Sequence, residues 1–226
     1  LYDPQFSIRV QLRATMRDAQ MLPGHLLSQS LNWQAGGPRT ARVMVVYKCP
    51  GTEEMWSKSH LSSDSSSVFL AALSTAGASD SAEWYVTPVV KWPIINPQSP
   101  TIPQSHKVDN AILLEQELRL VRPDFILCLG AEAVKAILGD KQTVRSMLGR
   151  VTDKLINLTV AGGQTCFKTA RVMVAESPAA VAVNPEKMED FVAAVSSFVR
   201  LTRGIEVGQQ ETGLRHVNVY KQRQLR

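Results

Sequence analysis

The chain has 226 residues, 44% apolar and 20% charged, which is ordinary globular usage and enough for one α/β domain with a full core or at most two small ones. No stretch approaches the roughly 18 uninterrupted apolar residues of a membrane span, and three cysteines without CxxC spacing give neither a disulfide framework nor a zinc or iron–sulfur site. The net charge is +5, but residues 200–226 hold six Arg or Lys against two Glu, so +4 of it lies in the tail and the rest of the chain is nearly neutral. A basic tail serves solubility or a protein partner as readily as phosphate, so charge alone does not argue for nucleic acid. The cysteine usage points to a reducing, intracellular compartment. The opening "LYDPQFSIRVQLR" lacks the charged, apolar, small-residue order of a secretory leader, and targeting stays open.

The first predicted element is an amphipathic helix in "SIRVQLRATMRDAQML", with Ser7 as cap, Ile8, Leu12, Met16 and Ala19 on one face and Arg9, Arg13 and Arg17 on another. That arginine row reads either as a phosphate-facing stripe or as a solvated face. After the loop "QAGGPRT" comes the strand "ARVMVVY", which runs into a Pro50-Gly51 turn. A serine-rich loop, "SKSHLSSDSSS", feeds a short helix with Val68, Phe69, Ala72, Leu73 and Ala76 at helical spacing and Gly77 as its stop. The strand "WYVTPVV" follows, then the Pro-rich loop "KWPIINPQSPTIPQSHK", a helix "DNAILLEQELRLV" that ends before Arg122-Pro123, the buried strand "FILCLG" and the helix "AEAVKAILG". "KLINLTV" and "KTARVMVA" pair across the turn "AGGQT", and a last helix runs through "NPEKMEDFVAAVSSFVRLTRG" with Pro185 in its first turn.

Strands alternating with helices in this way imply right-handed crossovers and a mainly parallel sheet covered on both faces. The predicted fold is a three-layer α/β/α sandwich around a mainly parallel four-stranded sheet. Its boundaries are residues 1–40 for the N-terminal helix and linker, 41–203 for the α/β domain and 204–226 for a basic tail. In such sheets the site lies beyond the carboxyl ends of the strands, so the loops opening at Lys48, Pro88, Gly130 and Ser177 converge on one cleft.

Those four strand ends, in this order, carry a resemblance. "CPGTEE", "YVTPVVK", "RPDFILCLGAEAVKAILG", "LGRV" and "ESPAAVAVNPEKMEDF" resemble, over residues from about 42 to 200, the motifs of the uracil-DNA glycosylase superfamily, particularly its thermophile-type fourth family. The resemblance implies DNA as partner and a reaction in which uracil is flipped out of the stack, read by an Asn, stacked on a Phe and cleaved with help from an acidic residue and a His. It also maps the pocket onto Lys48 and Cys49 in the acidic motif, Leu61 at the stacking position, Pro88 at the uracil-reading Asn and Ser177 at the His.

Each departure has a chemical meaning. Pro88 has no amide with which to tell uracil from cytosine, and Leu61 has no aromatic face. Lys48 reverses the sign of a carboxylate, and Ser177 cannot be cationic toward a departing base. Trp92 stands where the branch has an iron–sulfur cysteine, so no cluster and no other cofactor or metal is implied. Four changes in one pocket imply loss of uracil excision.

Cys49 reads as a buried filler or as a thiol activated by Lys48, and Cys128 reads as core. His60 and His106 read as loop-surface residues or as replacements for the missing His. Lys58, Ser62, Ser63, Lys91 and Ser177, with Ser65, Ser66 and Ser67 beside them, are candidates for DNA phosphate contacts. The predicted function is a glycosylase-fold protein without excision activity, a DNA-binding or protein-docking accessory subunit in replication with a polymerase and of phage or viral type. The alternatives are an active base-excision glycosylase with a rebuilt pocket, and a scaffold or inhibitor that binds neither DNA nor a base.

Overall fold

The computed structural model describes residues 36–51, 64–78, 83–91, 104–159 and 165–205. The N-terminal helix read in residues 7–22 and the tail beyond 205 lie outside them. The described elements run β1 (Val43–Tyr47), α1 (Asp64–Thr75), β2 (Tyr85–Pro88), α2 (Gln104–Val121), β3 (Phe125–Leu129), α3 (Ala131–Leu138), α4 (Val144–Met147), β4 (Thr152–Thr159), β5 (Thr165–Ala175), α5 (Pro178–Val183), a 3-10 turn (Pro185–Lys187) and α6 (Met188–Thr202).

One sheet has the order β2-β1-β3-β5-β4. The first four strands are parallel, with Tyr47 opposite Pro88, Val46 opposite Cys128 and Leu129 opposite Ala175. The sheet therefore has five strands where four were expected. The fifth, β4, is the antiparallel hairpin partner of β5, and because it turns straight back it needs no crossover helix.

Alternation along the strands sets the two core layers. Met44, Val46, Ile126, Cys128, Val172 and Val174 face Leu113, Leu114 and Leu118 of α2 and Val134 and Ile137 of α3. Val43, Val45, Leu127, Leu129, Met173 and Ala175 face Phe69 and Leu73 of α1 and Phe191, Val195 and Phe198 of α6. Phe69 meets Phe191 edge to face at 6.5 Å and so joins α1 to α6. Each of Phe69, Phe191 and Phe198 is fully buried, and each such burial stabilises the fold by about 1.5–3 kcal/mol.

Other departures from the predicted elements have local causes. α2 begins at Gln104 and so takes in the last four residues of the stretch read as a Pro-rich loop, because Pro103 is the last proline of that stretch and nothing after it blocks a helix. α5 starts on Pro178 at its first turn, and α4 is opened by a capping box between Thr143 and Ser146; both helices are too short to show an apolar period. Gly36, in the region read as linker, exchanges two backbone hydrogen bonds with Val86, at 2.9 and 2.7 Å.

Candidate functional site

The strand order puts four carboxyl ends in a row, Pro88, Lys48, Gly130 and Ser177, on strands that neighbour one another in the sheet. The structure thus brings together the four positions at which the sequence read a cleft. β1 and β2 stay zipped as they leave the sheet: Val89 N–H donates to Tyr47 O at 2.6 Å and Val90 N–H to Lys48 O at 2.9 Å. Lys48 and Cys49 are half-buried, and Cys49 packs against the α2 and α3 core layer. Cys128 is wholly buried, and burial pushes its thiol pKa up.

Gly130 and Ser177 define the other half of the row. Gly130 has φ +85° and donates to Ala175 O at 3.0 Å, and a Cβ there would lie 2.8 Å from Ser177 Cβ. Only glycine lets β3 and β5 approach so closely at this point. Gly130 is the N-cap of α3 and Ser177 that of α5, and neither caps its helix through a side chain. The first-turn amides of α3 suit an anion such as a phosphate oxygen, whereas α5 is six residues long and opens on Pro178, which has no N–H. Glu176, beside Ser177, is paired with Lys187 at 3.1 Å.

Lys91 was expected to face the cleft, and the structure corrects that expectation. It is 2% exposed, with its ammonium turned inward between β2 and α2. Nζ donates to Glu117 Oε2 at 2.6 Å, Thr87 Oγ1 at 2.7 Å and Pro88 O at 2.8 Å. Thr87 Oγ1 in turn donates to Glu117 Oε2 at 2.7 Å, and Lys91 N–H donates to Asn110 Oδ1 at 3.0 Å. With all three ammonium protons engaged on protein acceptors, Lys91 has none to offer a phosphate. Burial lowers its pKa, against the opposing pull of the Glu117 carboxylate.

The sequence reading missed Glu117, Thr87 and Asn110. Glu117 carried a signal, for it stands in the apolar stripe of Leu113, Leu114, Leu118 and Val121, where a carboxylate needs a buried partner. Of the other candidate residues, Lys58, His60, Leu61, Ser62 and Ser63 lie outside the described residues. Ser65, Ser66 and Ser67, read as loop, are in the first turns of α1, with Ser66 buried. His106 falls in the first turn of α2.

An open cavity of about 530 Å³ lies at the opposite, amino-terminal end of the strands, bounded by Arg42, Glu83, Trp84, Phe125 and Thr202. Among the described residues no group of three or more His, Cys, Asp or Glu could hold a metal ion, and no helix is long and apolar enough to cross a membrane.

A family model for the uracil DNA glycosylase superfamily matches residues 34–199, well over half of the chain. The chain belongs to this superfamily. No individual curated protein matches it. The family match spans all five strands and most of α6, so the row of strand ends in this glycosylase-superfamily chain lies wholly within the shared domain.

Proposed function

We propose that this glycosylase-superfamily chain is a DNA-binding and protein-docking accessory module with an emptied uracil pocket, working beside a replication protein such as a polymerase. The observation that carries the reading is Pro88. It stands where the family resemblance puts the base-reading amide, it has neither side-chain amide nor N–H, and its carbonyl already accepts from Lys91 at 2.8 Å.

The neighbouring amides are also engaged, Val89 and Val90 on the carbonyls of Tyr47 and Lys48, and Lys91 on Asn110. Discriminating one base from another needs paired donors and acceptors turned toward the base edge. Lys48 and Ser177 supply neither a carboxylate nor an imidazole to the reaction, and the nearby Glu176 is held by Lys187. DNA binding is supported by membership of a family that acts on DNA. It is supported also by the uncapped start of α3 at Gly130, close to Ser177.

The test is an excision panel across uracil, hypoxanthine, xanthine and alkylated bases, run beside a DNA-binding titration at several salt concentrations. The expected result is no excision with salt-sensitive binding. Robust excision that disappears in Lys48→Ala would overturn the reading in favour of a glycosylase with a rebuilt pocket. Absence of binding even at low salt would remove DNA from the function. Co-purification with a polymerase or other replication protein tests the docking role.

A further inference from the structure

The three-layer arrangement is incomplete at one corner of the sheet. On one face Ile156 and Leu158 of β4 join Ala170 and Val172 of β5 in the core layer on which α2 packs. On the other face the helical layer reaches Met173 and Ala175, whereas Leu155 and Phe167 are each 63% exposed. Leu155 stands opposite Thr169 and Asn157 opposite Phe167, so the two large apolar side chains are diagonal neighbours on one face.

β4 closes the sheet order and pairs with β5 along all eight residues in one unbroken register, and no strand pairs with its outer side among the described residues. Edges of this length are ordinarily blunted by proline, a bulge or charge along the strand. β4 reads Thr-Asp-Lys-Leu-Ile-Asn-Leu-Thr, with charge only at Asp153 and Lys154 near one end.

We propose that β4 is a dimerisation edge whose partner is β4 of a second copy, running antiparallel about a two-fold axis at Leu155 and joining two five-stranded sheets into one. A two-fold axis normal to the sheet keeps every side chain on its own face, so the strand can centre only on a residue paired with itself. Centring on Asp153 or Lys154 sets like charges directly opposite, which is destabilising. Centring on Ile156 sets Leu155 against Asn157, and centring further along leaves Asp153 and Lys154 facing no residue of β4. Centring on Leu155 sets Asp153 against Asn157 and Lys154 against Ile156, and puts two Leu155 side chains between the two Phe167 rings. That self-complementarity is the argument for a second copy over an unrelated peptide, and the two-fold closes the assembly at a dimer.

The test uses the full chain in analytical ultracentrifugation over a concentration series. The parent is expected to dimerise and Leu155→Lys to be monomeric with an unchanged circular dichroism spectrum, since residue 155 is exposed. The register is tested in a Cys166→Ser background under mild oxidation. Leu155→Cys should form a covalent dimer, because residue 155 meets its own copy within disulfide range, and Asn157→Cys, which faces residue 153, should not. A parent that is monomeric at every concentration overturns the proposal and leaves the face to a different protein. So does a Leu155→Lys chain that still dimerises, or an Asn157→Cys chain that crosslinks as readily as Leu155→Cys.

Discussion

Lys91 and Glu117 meet across 2.6 Å between β2 and α2, with side chains 1% and 0% exposed. Among the described residues Glu117 Oε1 has no hydrogen-bond partner, so the pair is held on one carboxylate oxygen. A buried pair gains little over an apolar pair of the same volume, but removing one member strands the other charge in the core. Lys91→Met and Glu117→Leu should each destabilise the fold by about 3–5 kcal/mol. The double variant should lose much less than the sum of the two. Denaturant unfolding of all four chains gives the coupling, and strictly additive losses would show that the pair is not a unit.

How much of this was legible beforehand depends on what each feature is written in. The strands were readable because β1, β3 and the carboxyl-terminal end of β5 are buried on both faces and so form apolar runs such as "VMVVY" and "FILCL" between turn residues. The row of strand ends followed from topology, since crossover handedness leaves few ways to order four parallel strands. The inward turn of Lys91 was not readable from its own neighbourhood, because its partner Glu117 is 26 residues away and only folding brings β2 against α2. Likewise the closeness of Gly130 and Ser177 joins two strand ends far apart in sequence, although a glycine just after "FILCL" was a hint that no Cβ fits there.

Lys48 and Lys91 should behave differently toward DNA. On the proposed binding role, Lys48→Ala should weaken binding and lower the salt slope by about 0.9, the value of one phosphate contact. Lys91→Met should leave the slope unchanged, because its ammonium is enclosed by Glu117, Thr87 and Pro88. Anisotropy titrations on one duplex over a range of salt concentrations check this. Equal slope changes in the two variants would mean that Lys91 reaches the phosphates after all.

Asp124 sits under β3 between two cations, with Lys168 Nζ at 2.8 Å and Arg42 Nε at 2.7 Å. Hydrogen bonds from Lys168 and then Arg42 hold its carboxyl below the usual aspartate range. A carboxyl depressed in the folded state stabilises fully above its unfolded value, about 3.9, and loses that contribution as pH falls through its folded value. Asp124→Asn should therefore be less stable than the parent at pH 7, by about 1 kcal/mol for pairs this exposed. The gap should close under acid. Unfolding curves at neutral and acid pH measure it, and a gap that widens in acid would reverse the assignment.

Gly130 and Ser177 lock the β3 and β5 ends together, and the lock has two separable parts. One is backbone strain, since φ +85° is unfavourable for any side chain, and the other is a contact of 2.8 Å between a new Cβ and Ser177 Cβ. Gly130→Ala should destabilise by about 1–3 kcal/mol. Adding Ser177→Gly removes the contact but not the strain, so the double variant should recover part of the loss and no more. Full recovery would mean that the backbone at residue 130 relaxes freely, whereas no recovery would assign the whole effect to φ. The same variants report on the proposed binding site, because displacing Gly130 shifts the start of α3. Gly130→Ala should therefore weaken DNA binding beyond any loss of folded protein, measured on the folded fraction at a temperature well below its unfolding.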